Sequence, residues 1–163
     1  MSKENIQYSS HEIKAKTICV LGAGGFIGSH IVDRLIEIGN IRILAIDLSS
    51  EKIKDHLANP LLTFVKGDVH DEEILREFIS QSDVVISLVA LCNPSMYNTI
   101  PLDVIDVNFN KGLGVVRACS DYKKWLIHFS TSEIYGRTVG SFFSDTSITE
   151  DPTNYLIKED ETP

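Results

Sequence analysis

Four glycines fall within seven residues, Gly22-Ala23-Gly24-Gly25-Phe26-Ile27-Gly28, directly after the apolar run Thr17-Ile18-Cys19-Val20-Leu21. At such a junction one glycine lets a strand turn sharply into a helix, one lets a diphosphate approach the backbone, and one lets helix pack on strand. Gly22, Gly25 and Gly28 fit a G-x-x-G-x-x-G spacing. The helix that follows aims free N–H groups and the positive end of its dipole at the phosphates. Gly22, Gly24, Gly25, Phe26, Ile27 and Gly28 are thus candidate contacts to a dinucleotide; a merely tight turn is the competing reading.

Asp47 follows a second apolar run, about 20 residues past the last of these glycines. A carboxylate there accepts from both hydroxyls of an adenosine ribose and repels a 2′-phosphate, and Leu48-Ser49-Ser50 supplies no arginine to offset that repulsion. NAD is therefore the expected cofactor. Gly67-Asp68-Val69 closes a third apolar run on the same edge of the sheet. Asp68 is open to two readings, contact with the adenine amino group or the N-cap of the next helix.

The elements that must hold these residues are read from periodicity. Strand-length apolar runs alternate with helical segments, the pattern of an α/β, Rossmann-like, doubly wound parallel sheet with helices on both faces. Strands are expected at Thr17–Leu21, Ile41–Ile46, Leu61–Val65, Asp83–Val89 and Trp125–Phe129. Helices are expected at Phe26–Ile38, with Ile27, Ile31, Leu35 and Ile38 on its apolar side, at Ser50–Ala58, at Asp71–Ser80 and at Leu102–Asp121. The expected domain spans 16–143, preceded by an extension over 1–15 and followed by a Ser-, Thr-, Asp- and Glu-rich loop over 144–163.

At 163 residues and 43% hydrophobic content the chain suits one globular domain. A formal charge of −8 argues against a nucleic-acid partner. No apolar stretch approaches the roughly 20 residues of a membrane span, and residues 1–16 lack the apolar core of a secretory signal, so no membrane partner and a cytoplasmic location are expected. Cys19, Cys92 and Cys119 show no C-x-x-C pair, which suits reduced thiols better than disulfides or zinc, so no metal site is expected.

Together with the glycines and Asp47, the strings Asp68-Val69, Leu88-Val89-Ala90 and Ser130-Thr131-Ser132-Glu133-Ile134-Tyr135-Gly136 resemble the extended short-chain dehydrogenase/reductase family of nucleotide-sugar enzymes. The stretch Leu88 to Gly136 is similar to the UDP-glucuronate dehydrogenase/decarboxylases of bacterial polymyxin resistance and to the UDP-apiose/UDP-xylose synthases. Tyr97-Asn98-Thr99-Ile100-Pro101-Leu102-Asp103, Gly140-Ser141-Phe142-Phe143 and Tyr155 to Asp160 resemble the synthases most. Ser132 stands where those synthases carry Cys, and leans toward the decarboxylases.

The resemblance implies oxidation of C4 of a UDP-glucuronate-like substrate by NAD, after which a ketone β to a carboxylate accepts the electrons left by departing CO₂. It assigns Asp68, Val69, Leu88, Val89 and Ala90 to the cofactor. Thr131 and Ser132 fall at the reacting oxygen, Glu133 in acid/base control, and Cys92 and Tyr97 at the sugar. Asn108 matches a helix-bending or water-ordering Asn, or is simply a polar surface residue. The 102–121 helix implies a homodimer and, uncovered, would leave Val104, Ile105, Leu113, Val115 and Val116 partly bare.

One departure is plain. The family's Tyr-x-x-x-Lys pair is absent: four residues beyond Tyr8, Tyr97, Tyr122, Tyr135 and Tyr155 stand Glu12, Pro101, Leu126, Val139 and Glu159. The chain is therefore expected to be the N-terminal portion of a longer enzyme. An epimerase or dehydratase, and a non-catalytic NAD(H)-binding module, stay open as alternatives.

Overall fold

The computed structural model describes residues 16–131. The chain divides into a compact unit ending at His128 and a second, Phe129–Pro163, of which only residues 129–131 are described. The expected N-terminal extension and the 144–163 loop lie outside the described residues.

Five parallel strands, β1 (Thr17–Leu21), β2 (Arg42–Asp47), β3 (Leu62–Lys66), β4 (Val84–Ser87) and β5 (Trp125–His128), lie in the order β3-β2-β1-β4-β5. The chain winds outward from β1 first to one side and then to the other, so the topological switch point lies between β1 and β4, where open α/β sheets bind their ligands. Alternation along each strand divides the core. Ile18, Val20, Ile43 and Ala45 point to one face, under α1 (Phe26–Ile38) and a 3-10 helix (Glu51–His56). Cys19, Leu21, Leu44, Ile46 and Val85 point to the other, under α2 (Glu72–Gln81) and α5 (Gly112–Asp121). A sheet buried on both sides needs apolar residues at consecutive positions, which is why its strands read as unbroken runs.

The fourth strand is shorter than the expected Asp83–Val89, the expected helix Ser50–Ala58 is a 3-10 helix over Glu51–His56, and three further elements differ from the sequence expectation. The buried side of α1 carries Gly28, Ser29, Val32 and Leu35, while Ile27 and Ile38 are exposed. The helix is rotated because its first turn must pack glycine, not isoleucine, against the β1 turn. A short helix, α3 (Pro94–Thr99), precedes the long one; Asn93 caps it by accepting from Ser95 N–H and Pro94 sits at its first position. The long helix itself is α4 (Pro101–Ile105), a π-helical turn (Asp106–Lys111) and α5. Val115, expected to be uncovered, is buried in the core; Val104 and Leu113 are half-buried; Ile105 and Val116 are exposed. None of the helices among the described residues is long and apolar enough to cross a membrane.

Asp83 ties the sheet together on the edge opposite the glycine turn. Its carboxylate accepts from the backbone N–H groups of Lys16 at 2.8 Å and Thr17 at 2.9 Å, and its own N–H donates to the Thr17 carbonyl at 2.9 Å. The bonds from Thr17 and Lys16 hold the Asp83 carboxyl below the usual carboxylate range. A lowered folded-state pKa contributes stability that is present above the ordinary carboxylate value and is lost as pH falls through the folded one. Asp83→Asn is expected to cost about 1 kcal/mol near neutral pH, after allowance for solvent screening. In urea unfolding the gap between variant and parent should narrow as pH falls below the ordinary carboxylate value and through the lowered folded one, where the parent carboxyl also becomes neutral.

Candidate functional site

The site is built from the β1–α1 turn upward. Gly22 has φ +87°, a left-handed conformation that favours glycine. From it the N–H of Gly22 and then that of Ala23 reach the Ile46 carbonyl at 3.0 and 3.3 Å, so the turn is fastened to the end of β2. A side chain at Gly28 would overlap the Gly22 carbonyl and come within 2.9 Å of Ala23 Cα; this glycine lets α1 lie against the turn. At Gly25 a Cβ would meet only the Gly22 carbonyl, at 3.3 Å, and otherwise faces open space.

Gly25 is also the N-cap of α1. No side chain caps it and no acid stands in the first turn. Phe26 is 72% and Ile27 50% exposed. The first-turn N–H groups of a helix have no intrahelical acceptor, and here the approach to them is left to solvent and to an anion.

Asp47 lies across from the turn. Its Oδ2 accepts from Gly24 N–H at 2.9 Å and its Oδ1 from Ser49 N–H at 3.0 Å, while its carbonyl accepts from Gly67 N–H at 3.0 Å. The last of these draws the end of β3 alongside. Asp68 does not cap α2; Asp71 does, accepting from Glu73 and Ile74 N–H. The Asp68 carboxylate instead accepts from the backbone N–H of His70 and contacts its Nδ1, both at 2.9 Å, and the backbone bond first of all holds it below the usual carboxylate range. The Val69 side chain is buried in the core, which leaves only its backbone for a ligand.

On the other side of the switch point Leu88 N–H donates to the Leu21 carbonyl at 3.0 Å, and Leu88 and Val89 flank Gly22. Leu88 and Val89 are half-buried and Ala90 is exposed. Asn108 then clamps the next residue. Its Oδ1 accepts from Leu91 N–H at 2.7 Å and its Nδ2 donates to the Leu91 carbonyl at 3.1 Å. Asn108 sits within the π-helical turn, so the wider coil and the clamp coincide, as π turns often do at functional sites. Cys92 is exposed beside the clamp, and Tyr97 is exposed on α3. Burial pushes the Cys19 thiol up to about 12 and raises that of Cys119, so these two are inert core groups.

The structure thus brings the glycine turn, Asp47, Asp68 and the Leu88–Val89 segment to one edge of the sheet. Thr131 belongs to the second unit, and Ser132 and Glu133 lie outside the described residues. Sequence reasoning missed the contact of Gly24 with Asp47 and the partnership of Asp68 with His70. The first had a signal in Gly24, the one glycine of the four that the G-x-x-G-x-x-G spacing does not use. Among the described residues no group of His, Cys, Asp and Glu is arranged to hold a metal ion.

Asn108→Ala would leave both backbone groups of Leu91 without their partner. The expected cost is about 1–2 kcal/mol. Hydrogen exchange should speed up at the Leu91 amide while the amides of β1 and β4 keep their protection.

Comparison with known proteins matches this geometry. The chain is 41% identical over 168 residues to UDP-D-apiose/UDP-D-xylose synthase 2 of Arabidopsis thaliana, covering 98% of this chain and 43% of the plant protein. It is 34% identical over 131 residues to the bifunctional polymyxin resistance protein ArnA of Wigglesworthia glossinidia brevipalpis, covering 80% of this chain and 20% of that one. Among solved structures, the PbgP3 protein of Burkholderia pseudomallei superposes with a TM-score of 0.74 at 32% identity, over 87% of this chain and 48% of its own. The chain therefore spans less than half the length of each of these relatives. With residues 18–156 matching the family as a whole, the chain belongs to the NAD dependent epimerase/dehydratase family.

Proposed function

We propose that this chain is the cofactor-holding part of an enzyme that oxidises C4 of a UDP-hexuronate, with UDP-glucuronate as substrate, and releases CO₂ from the 4-keto sugar. The observation that carries the reading is the Asp47 carboxylate, held by Gly24 and Ser49 N–H at the strand end facing the glycine turn. Each carboxylate oxygen keeps a further lone pair for a ribose hydroxyl. The N–H groups of Phe26 and Ile27 would take the diphosphate, and Asp68 with the Val69 backbone the adenine. Leu88, Val89 and Ala90 would line the path toward the nicotinamide. NAD, when bound, supplies the hydride acceptor.

The sugar chemistry rests on the relatives. Apiose and xylose are five-carbon sugars, named in the plant relative, and a six-carbon uronic acid reaches that size by losing one carbon as CO₂. A carboxylate β to a ketone loses CO₂ readily because the carbonyl takes up the electron pair. Cys92 and Tyr97 are proposed at the sugar, Thr131 and Ser132 at its C4 oxygen, and Glu133 in acid/base control. The proton acceptor for C4 is proposed to come from a tyrosine–lysine pair of the parent enzyme outside these 163 residues. Leu102, Ile105, Phe109 and Val116 are all exposed along the long helix, so a homodimer through them belongs to the same proposal.

Three measurements test the reading. The parent protein given NAD⁺ and UDP-glucuronate should release CO₂; interconversion of UDP-sugars without CO₂ would point to epimerisation, and NAD⁺ binding without turnover to a non-catalytic module. Asp47→Ala should weaken NAD⁺ binding in calorimetry by about 10- to 100-fold, the loss of hydrogen bonds to a charged acceptor. Phe109→Glu should shift the parent protein from dimer to monomer in sedimentation, and an unchanged dimer would remove the helix from the interface.

A further inference from the structure

Gly24 and Gly25 are neighbours in the chain and meet different surroundings. A Cβ at Gly25 has only the Gly22 carbonyl near it, at 3.3 Å. A Cβ at Gly24 would overlap the Ser49 carbonyl oxygen and stand 3.0 Å from both the Ser49 carbonyl carbon and Asp47 Cγ. These atoms are backbone, or a carboxylate already fixed by two hydrogen bonds, so they cannot yield as the tip of a flexible side chain would. The turn at residues 47–49 closes onto the glycine loop only because residue 24 has no side chain.

That closure has an electrostatic consequence. Gly24 N–H on Oδ2 and Ser49 N–H on Oδ1 tie both oxygens of Asp47 in place and leave each a further lone pair. A carboxylate with free oxygens can rotate away from an incoming 2′-phosphate. This one must break two bonds to backbone N–H groups to do so, and bonds to an ionised acceptor are the stronger kind.

We propose that Gly24 is the positioning residue for cofactor choice: its bare Cα lets the 47–49 turn close, its N–H locks the Asp47 carboxylate, and the locked carboxylate admits a 2′-hydroxyl and rejects a 2′-phosphate. Gly25, in contrast, serves the diphosphate common to both dinucleotides. The inference rests on the cofactor reading proposed above and assigns Gly24 a role in discrimination, not in phosphate contact.

The test compares NAD⁺ and NADP⁺ affinities, by calorimetry, for the full chain and four variants. Gly24→Ala should weaken NAD⁺ by about tenfold or more and narrow the NAD⁺ over NADP⁺ preference by a similar factor. Gly25→Ala should weaken both dinucleotides equally and leave their ratio at the parent value. Adding Gly24→Ala to Asp47→Ala should cost little further NAD⁺ affinity, since the carboxylate through which Gly24 acts is already gone. Ser49→Gly loosens the same turn from its other side without adding an atom, and should narrow the ratio in the same direction; it decides the matter if Gly24→Ala does not fold. A general loss of structure would lower both affinities together and would not move the ratio. Parent-like ratios in Gly24→Ala, or in Ser49→Gly where the former does not fold, overturn the inference. A parent chain that binds neither dinucleotide overturns the cofactor reading itself.

Discussion

Two backbone N–H groups from different loops converge on one carboxylate, that of Asp47, and this edge of the sheet is organised around that convergence. Gly24 reaches it from the β1–α1 turn and Ser49 from the turn after β2. The backbone of the same segment does parallel work. The Ile46 carbonyl receives Gly22 and Ala23, and the Asp47 carbonyl receives Gly67. Three strand ends are thereby fixed to one another before any ligand arrives. Pre-formed donors and acceptors spare a ligand the cost of ordering them, which is where a binding site gains most of its advantage.

Such an arrangement needs a sheet that does not slip. In β1 and β2, neighbouring residues enter opposite cores, so a one-residue shift between them would exchange the two buried sets. Leu21 pairs with Ile46 on one side and Ser87 on the other, which places the glycine turn, Asp47 and Leu88 at matching heights. The register that buries the core is thus the register that assembles the site. Gly28 extends the same constraint to α1, whose first turn sits on the Gly22 carbonyl. The price is visible on the surface, where Phe26 and Ile27 stand exposed at the mouth.

Much of this was legible in the residues. β1 and α1 begin and end where the apolar run, the glycines and Gly39 place them, because each boundary is marked by a residue with one conformational use. Gly39, with φ +80°, closes α1 in the left-handed conformation. The gathering of the glycine turn, Asp47 and Asp68 at one edge of the sheet was also legible, because each follows the end of an apolar run. The illegible parts depend on contacts distant in sequence. Nothing local says that Asn108 will reach back 17 residues to Leu91, or that the helix must open into a π turn to let it. Nor does spacing reveal that Gly24 answers to Ser49, since the requirement comes from a turn that periodicity does not describe. Asp68 shows a different limit: its carboxylate takes the N–H of His70 two residues on while Asp71 takes the cap, and spacing alone does not choose between two nearby acids.

The chemistry of the titratable groups separates holding a cofactor from moving a proton. A general base works best with a pKa near the pH at which it operates, and burial or a like charge is what raises a carboxyl toward that range. Asp68 is displaced the other way, by bonds from His70 N–H, and Asp83 by bonds from Thr17 and Lys16 N–H. Cys19 and Cys119 are displaced upward, away from the reactive thiolate. Backbone N–H groups thus turn Asp68 and Asp83 into fixed negative charges, suited to holding neighbours in place and poorly suited to exchanging protons. Carboxylates held this way keep their neighbours in place, and a group meant to exchange protons would need the opposite surroundings, burial or a like charge.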